Sequence, residues 1–359
     1  GSVSFPPYMS ETTYSYYTTN WYSTGVGAIV DNYGNQNLKW QQTHNYDAGM
    51  DLGIFKDRII ISPRYYYKLT RGVLADIQLP PSAGFPSYTD NLGDMVNRGF
   101  ELNFKVTAVR NRDWTVSIFA NLVHNTNVIK KISNSLTSYN DKANEAQTAD
   151  SSLRTTPLLH YQEGQPLNEI YAVRSLGIDP ESGREIFVKK DGSHTFTYDV
   201  RDIAPLADPT PKVQGSFGTS MSYKSFQFNT IFWASLGGKD YNQTLVDRVD
   251  DTDPRYNVDS RALADRWKNP GDHASFKNIT DQSVTFPTSR FIQNLSTLSL
   301  SSVYLSYDFS KAVYSRMSMK NLRLAFTMND VFFWSTEKIE RGINYPYARS
   351  FTFSIQTSL

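Results

Sequence analysis

The sequence predicts an all-β fold, a transmembrane antiparallel β-barrel wall of about eleven strands. Three observations predict it: two-residue periodicity, short turns alternating with long polar connections, and aromatic residues near strand ends. The 359 residues carry 36 Lys and Arg against 35 Asp and Glu, with 23 Tyr, 21 Phe and no Cys. A net charge of +1 offers no basic face to nucleic acid. Without cysteine there are no disulfides, thiolate metal sites or Cys nucleophiles. No stretch approaches the ~18 apolar residues of a spanning helix, and mean hydropathy is −0.47. That excludes a helical membrane protein and leaves barrels open, because their strands alternate and average out as hydrophilic. The chain opens on Gly1-Ser2-Val3 with neither an initiator Met nor a charged-then-apolar leader, so a processed or truncated beginning is expected.

The alternating runs follow in order. Ala48, Met50, Leu52 and Ile54 alternate with small or acidic residues, turn at Lys56-Asp57, and continue through Ile59, Ile61, Tyr65 and Tyr67. Pro63 falls inside that second run and predicts an edge or a bulge. Phe100, Leu102, Phe104, Val106 and Ala108 share one face, and past Asn111-Arg112-Asp113 the face continues in Trp114, Val116, Ile118, Ala120 and Leu122. Val213, Phe217, Met221 and Tyr223 lead through Lys224-Ser225 into Phe226, Phe228, Phe232 and Leu236. Leu298 and Leu300 give way to Val303, Leu305 and Tyr307, a parity change that predicts a bulge at Ser301-Ser302. Leu322, Leu324, Phe326 and Met328 follow, and Phe351, Phe353, Ile355 and Leu359 close the chain as its expected barrel-insertion signal. The less regular stretch from Leu167 to Lys190 supplies two further strands around Asp179-Pro180-Glu181-Ser182-Gly183.

Polar connections from Arg71 to Val96, Asn125 to Gln165 and Gly238 to Gln293 far exceed the usual ~4–6 residues. Short periplasmic turns and long extracellular loops are the barrel asymmetry. An odd strand count then runs the first and last strands the same way and puts the C-terminus in the periplasm. Trp40, Tyr65, Tyr67, Trp114, Tyr223, Tyr307 and Trp334 sit near strand ends, where lipid meets water. The residues expected to face lipid are Phe100, Leu102, Phe104, Trp114, Val116, Ile118, Phe226, Phe228, Leu322, Leu324 and Phe326. Asp47, Asp51, Arg64, Glu101, Lys105 and Arg323 are expected on a mixed-charge lumen wall.

Particular runs resemble a family. Gly34-Asn35-Gln36-Asn37-Leu38-Lys39-Trp40-Gln41 with Asn45-Tyr46-Asp47-Ala48-Gly49-Met50-Asp51 is similar to a signature of SusC/RagA-type TonB-dependent transporters. So are Leu79 to Phe85, Asn91 to Glu101, Gly177 to Gly183, Arg266 to Asp272, Thr288 to Phe291 and Tyr345 to Arg349, in the family's order. The resemblance covers Gly34 to Leu359. It implies a barrel of 22 strands whose last half is residues 1–359, with the plug and TonB box outside this chain. It also implies an outer-membrane location, a SusD-like surface lipoprotein, contact with TonB through the N-terminal part, and import of oligosaccharide or peptide. Gln41 departs from the family's frequent Glu, and Leu359 from the terminal aromatic that outer-membrane proteins prefer.

Little else suggests chemistry. His44, His124, His160, His194 and His273 lack metal-ligand spacing. Asp247, Asp250, Asp251 and Asp253 could converge on calcium, but the run lacks the glycine and closing glutamate of a calcium loop, and a solvated loop is favoured. Gly215 and Gly218 lie inside a strand and make no phosphate cradle. No carboxylate pair stands out for glycoside chemistry, so neither an enzyme nor a cofactor is expected. Tyr88, Tyr139, Tyr241 and Trp267 are the loop aromatics placed to stack on a sugar or grip a peptide, with loop packing as the favoured reading of each. Two alternatives compete. A soluble, secreted, all-β carbohydrate-binding module would pack its apolar faces dry, and a β-rich hydrolase would show a convergent catalytic group.

Overall fold

A strand with one oily side must find hydrogen-bond partners for its backbone along both edges. In the computed structural model the longest alternating runs do so in one ten-stranded antiparallel sheet. The structure describes residues 8–22, 25–78, 87–149, 153–317, 319–339 and 349–358. Two strands, β1 (Thr13–Tyr22) and β2 (Gly25–Asn32), pair apart from that sheet. Then β3 (Gln42–Gly49) and β4 (Leu52–Ile54) lie end to end along β5 (Ile59–Arg71). A small hairpin of β6 (Leu74–Gln78) and β7 (Ser87–Asn91) precedes two long strands, β8 (Gly93–Arg110) and β9 (Trp114–Ile132). Helix α1 (Asn134–Ala149) and five short strands follow: β10 (Ile170–Ala172), β11 (Arg174–Ile178), β12 (Glu185–Val188), β13 (His194–Thr195) and β14 (Ala204–Ala207). The wall resumes with β15 (Val213–Tyr223), β16 (Phe226–Tyr241), β17 (Ile292–Asp308), β18 (Asn321–Ser335) and β19 (Ser350–Ser358).

The wall order is β19-β18-β17-β16-β15-β9-β8-β5-β3, with β4 also on β5. With β3 and β4 taken as one interrupted strand, nine strands make the wall, and the first and last run in the same direction. Among the described residues β3 and β19 each pair on one side only, so the sheet is an unclosed portion of a barrel. The two strands expected near Asp179 do form, as β11 and β12, but they join β13 in a separate three-stranded sheet. Their poor alternation has a physical reason, since they pack on loop residues such as Tyr171, Val173 and Ile203 and take no part in the wall.

Backbone irregularities fall where chemistry forces them. Pro63 stays inside β5, opposite Leu102 of β8. The ladder breaks instead on the other neighbour, at Met50 and Asp51, and the Met50 N–H donates to the Pro63 carbonyl at 3.1 Å. Proline has no N–H to give, and the partner strand stops where one would be needed. Ser301 is the extra residue between Leu300 and Ser302 against β16, as the parity change requires, while against β18 the same step leaves Asp330 and Val331 between Asn329 and Phe332. A second bulge was not legible: Thr107 pairs Ser117 and Val109 pairs Val116, so Ala108 drops out of the face assigned to it.

Connections at one edge are short: 55–58, 111–113, 224–225 and 309–320. Phe55, Lys56 and Asp57 turn with φ of 55°, 58° and 60°, and the Asn111 side chain accepts from the Asp113 and Trp114 N–H groups at 3.0 and 2.8 Å. At the other edge the connections are 72–92, 133–212, 242–291 and 336–349. Among the described residues, two buried apolar clusters lie in these long connections. One is Tyr171, Val173, Phe187 and Ile203; the other is Leu92 and Leu136, flanked by Val73, Ile132, Tyr139 and Tyr161.

Candidate membrane surface and loop platform

Register decides what each face of the wall presents. Ile61, Phe104, Ala120, Phe217, Phe232, Leu300 and Phe332 are successive cross-strand partners and form one row across seven strands. The row nearer the short turns runs Val109, Val116, Met221, Phe228, Leu305, Phe326, Phe353, and the next Trp114, Tyr223, Phe226, Tyr307, Leu324, Ile355. Eight of the eleven residues expected to face lipid stand in these three rows or, for Ile118, in the Val106–Ile118–Thr219 row between them. Leu102 pairs Leu122 beyond the Phe104 row, and Phe100 pairs His124 one step further. Leu322 pairs Thr357 at the turn edge. Phe217 and Phe232 stack with centroids 5.0 Å apart, Trp114 lies 4.3 Å from Tyr223, and Phe226 lies 4.6 Å from Tyr307. Such pairs add about 0.5–1.5 kcal/mol beyond area burial.

No part of the described chain covers this face. Phe226 is 49% exposed, Phe332 48%, and Phe353 81%. Contiguous apolar surface on this scale marks a membrane or a protein partner. Of the insertion-signal residues, Phe351, Phe353 and Ile355 extend the same rows on β19; Leu359 lies outside the described residues.

The other face is mostly polar along β8, β9 and β15, though Phe119, Ile231 and Trp233 also lie on it. Asn103, Asn121 and Ser216 are partners in one row, and Thr107, Ser117, Ser220 and Asn229 in another. Asn121 Nδ2 donates to Ser216 Oγ at 3.3 Å. Arg64 reaches Asp47 at 3.1 Å, and Arg323 binds Asp308 through Nε at 2.6 Å. Both pairs are solvated and contribute little to stability; they describe a wet, mixed-charge surface.

Above the long-connection edge the loops are pinned to each other. Arg290 donates to Asp250 at 2.8 Å and to Glu185 at 2.9 Å, the three side chains being 8%, 0% and 10% exposed. Burial pushes the Asp250 carboxyl up, but Arg290, Thr285 and Lys277 outweigh it and hold the carboxyl below the usual carboxylate range. Thr288 Oγ1 donates to Glu185 at 2.7 Å, and Lys277 Nζ donates to Asp251 at 3.0 Å and to the Ser283 carbonyl. The buried Arg266 donates to the carbonyls of Ala262, Lys277, Val249 and Asp250. The aspartates considered for calcium are therefore engaged by this chain's own donors: Asp250 by Arg290, Asp251 by Lys277, Asp253 by Arg255 at 2.6 Å and Asp247 by Gln243 at 2.8 Å. The expected solvated loop is corrected for Asp250, which is buried because its counter-ion is buried with it.

Motif runs far apart in sequence meet here. Asn35 Nδ2 donates to Asp90 Oδ1 at 3.1 Å, and Asn91 exchanges bonds with the Lys39 backbone at 2.8 and 2.9 Å. Gln41 Oε1 accepts from the Leu74 N–H at 3.2 Å, work that a neutral amide does as well as a carboxylate. Trp267 Nε1 donates to the Pro180 carbonyl at 2.7 Å, and its ring lies against Gly183, where φ is +70° and a Cβ would meet the indole at 2.6 Å. The segments 79–86 and 340–348 lie outside the described residues.

The loop aromatics are not gathered in one place. Tyr139 packs on Tyr161 with centroids 5.5 Å apart. Tyr241 donates its hydroxyl to the Thr155 carbonyl at 3.3 Å, and Trp267 holds the turn just described. Tyr88 belongs to β7, and its side chain lies outside the described residues. Sequence reading passed over the ring group that does enclose a space. Phe187, Phe196, Tyr198 and Phe286, with Arg184 and Arg290, line a cavity of about 420 Å³. Tyr198 stacks on Phe286 at 4.2 Å and 9°. Burial, reinforced by the charges of Asp199 and Glu185, pushes its phenol up. Neither the Tyr198 hydroxyl nor Arg290 Nε has a hydrogen-bond partner. No local pattern could have revealed the cavity, since its rings come from two different connections.

Among known families, the model for the TonB dependent receptor-like β-barrel matches residues 2–331. TonB-dependent receptor SusC of Bacteroides thetaiotaomicron is 26% identical over 341 residues, 90% of this chain and 32% of the relative. TonB-dependent receptor P3 of Formosa agariphila is 28% identical over 236 residues, 62% of this chain and 23% of the relative. The chain thus spans a third or less of the length of these curated relatives. Among solved structures, the RagAB peptide importer in its closed-closed state superposes with a TM-score of 0.75 at 20% identity, over 98% of this chain and 39% of that one. That likeness concerns the fold.

Proposed function

Because the chain belongs to the TonB dependent receptor-like β-barrel family, we propose that it forms the last half of an outer-membrane import barrel, SusC/RagA-like, for oligosaccharide or peptide. The observation that carries this reading is the uncovered oily face whose rows run unbroken across the wall, backed by a polar face. A soluble carbohydrate-binding module would need that face covered, and the described residues leave it open. In this reading the short-turn edge and the C-terminus are periplasmic, and the pinned loops stand outside the cell. Phe351, Phe353 and Ile355, with Leu359, serve as the insertion signal. The chain catalyses no reaction.

A SusD-like lipoprotein would rest on the loop platform, and TonB would act through the N-terminal part of the longer protein. Cargo contact falls to the cavity of Tyr198 and Phe286, whose stacked rings can lie against a sugar ring or an apolar peptide side chain. Tyr139, Tyr241 and Trp267 shape the platform around it. Fractionation of the intact protein tests the whole reading. It should run with the outer membrane and co-purify with a surface lipoprotein; recovery as a water-soluble protein without detergent would overturn it.

A further inference from the structure

Charge is distributed unevenly between the two edges of the wall. The four short connections carry seven lysines and arginines against two aspartates, Asp57 and Asp113. The cations are Lys56 and Arg58 in the first turn, Arg112 in the second, Lys224 in the third, and Lys311, Arg316 and Lys320 in the last. All seven are exposed, and none is ion-paired among the described residues. The four long connections lean the other way, with 24 acidic against 18 basic residues.

Two grooves open on the apolar face immediately above these cations. One, of about 590 Å³, opens beside the Ala108 bulge and is lined by Phe55, Ile59 and Val106, by Thr107 and Ala108, and by Lys56 and Arg58. The other, of about 380 Å³, is lined by Trp114, Tyr223, Phe226, Phe228 and Leu305. At its rim Lys224 Nζ stands 5.3 Å from the centroid of the Tyr223 ring. A trough of hydrocarbon-like side chains with an unpaired cation at one end matches a molecule with an apolar tail and an anionic head.

We propose that this edge binds anionic phospholipid of the periplasmic leaflet, with the phosphate between Lys56 and Arg58 and an acyl chain along Ile59 and Val106. Lys224 and the Trp114–Tyr223 groove form a second seat two strands further along. The assignment of the leaflet rests on the transporter reading above; the preference for anionic lipid does not. Ion pairing at a bilayer surface is worth roughly fivefold in affinity for each Lys or Arg, and it is screened by salt.

The test uses the intact transporter in nanodiscs that contain phosphatidylglycerol and phosphatidylcholine, with the lipids retained after detergent extraction counted by native mass spectrometry. The native protein should retain phosphatidylglycerol preferentially. Replacing both Lys56→Gln and Arg58→Gln should cut that preference by about 25-fold, and 0.5 M salt should narrow it in the native protein. The double variant's resistance to heat in sodium dodecyl sulfate reports that the barrel is intact. Equal retention of the two lipids by the native protein, or a preference unchanged in a folded double variant, overturns the proposal. A Ser225→Cys variant treated on whole cells with a membrane-impermeant maleimide separates the two ideas. Protection supports the periplasmic placement. Labelling from outside overturns the leaflet and the orientation together, while the nanodisc preference would stand.

Discussion

Arg290 and Asp250 form a largely buried ion pair, the nitrogen 2.8 Å from the carboxylate oxygen and the side-chain exposures 8% and 0%. Glu185, from a different connection, accepts from the same nitrogen at 2.9 Å. Removal of one partner from a buried pair leaves an uncompensated charge and costs about 3–5 kcal/mol. Arg290→Met should therefore loosen 242–291 from β12, seen as faster hydrogen exchange around Asp250 and Glu185. Exchange rates equal to the native ones would show that the pair does not hold the loops.

The oily face gives a second expectation. Phe104→Arg should lower the folding free energy in bilayers by about 2–4 kcal/mol, as a cation near the midplane does. Its sequence neighbour Asn103 points the other way, and Asn103→Arg should change folding by far less. Equal penalties at the two positions would mean that the register does not separate lipid from lumen.

Ser301 sets the parity of β17. Deleting it would turn Val303, Leu305 and Tyr307 to the polar side, since a one-residue slip reverses every later side chain. The deletion should abolish assembly into the outer membrane, read as loss of the heat-modifiable band on a gel. A conservative Ser301→Thr should assemble normally.

His160 is buried, its Nδ1 donating to the Leu158 carbonyl at 3.0 Å and its Nε2 2.9 Å from the Asn144 amide. Burial pulls its pKa below the ordinary 6.5, the Leu158 bond opposes this and Lys190 adds to it. The unfolded segment thus takes up a proton before the folded one does. The stability tied to the neutral ring is complete above pH 6.5 and is lost as pH falls through the lowered folded value. Protection of residues around α1 should drop between pH 7 and 5, and His160→Gln should flatten that dependence. The Asp250 carboxyl, held below the usual carboxylate range, acts only in stronger acid.

The wall was legible because one face of it is apolar at nearly every second residue, and all nine alternating runs became wall strands. The Ser301 bulge was legible for the same reason, as a broken parity. Legibility ended where that pattern lapses. β8 and β9 run on past the apolar rows, so residues 93–96 of β8 and 125–132 of β9 were read as parts of loops. The β1–β2 hairpin carries no clean alternation and was not foreseen. The cavity around Tyr198 depends on contacts between residues about 90 positions apart, which no local period records.

The described residues keep their oil in two forms. One part is a drop enclosed by the loops, Tyr171, Val173, Phe187 and Ile203, which water alone can drive together. The other is spread over the wall as a film that only hydrocarbon can wet. In the transporter reading each part answers to a different solvent, so conditions that strip lipid from the film should leave the drop folded.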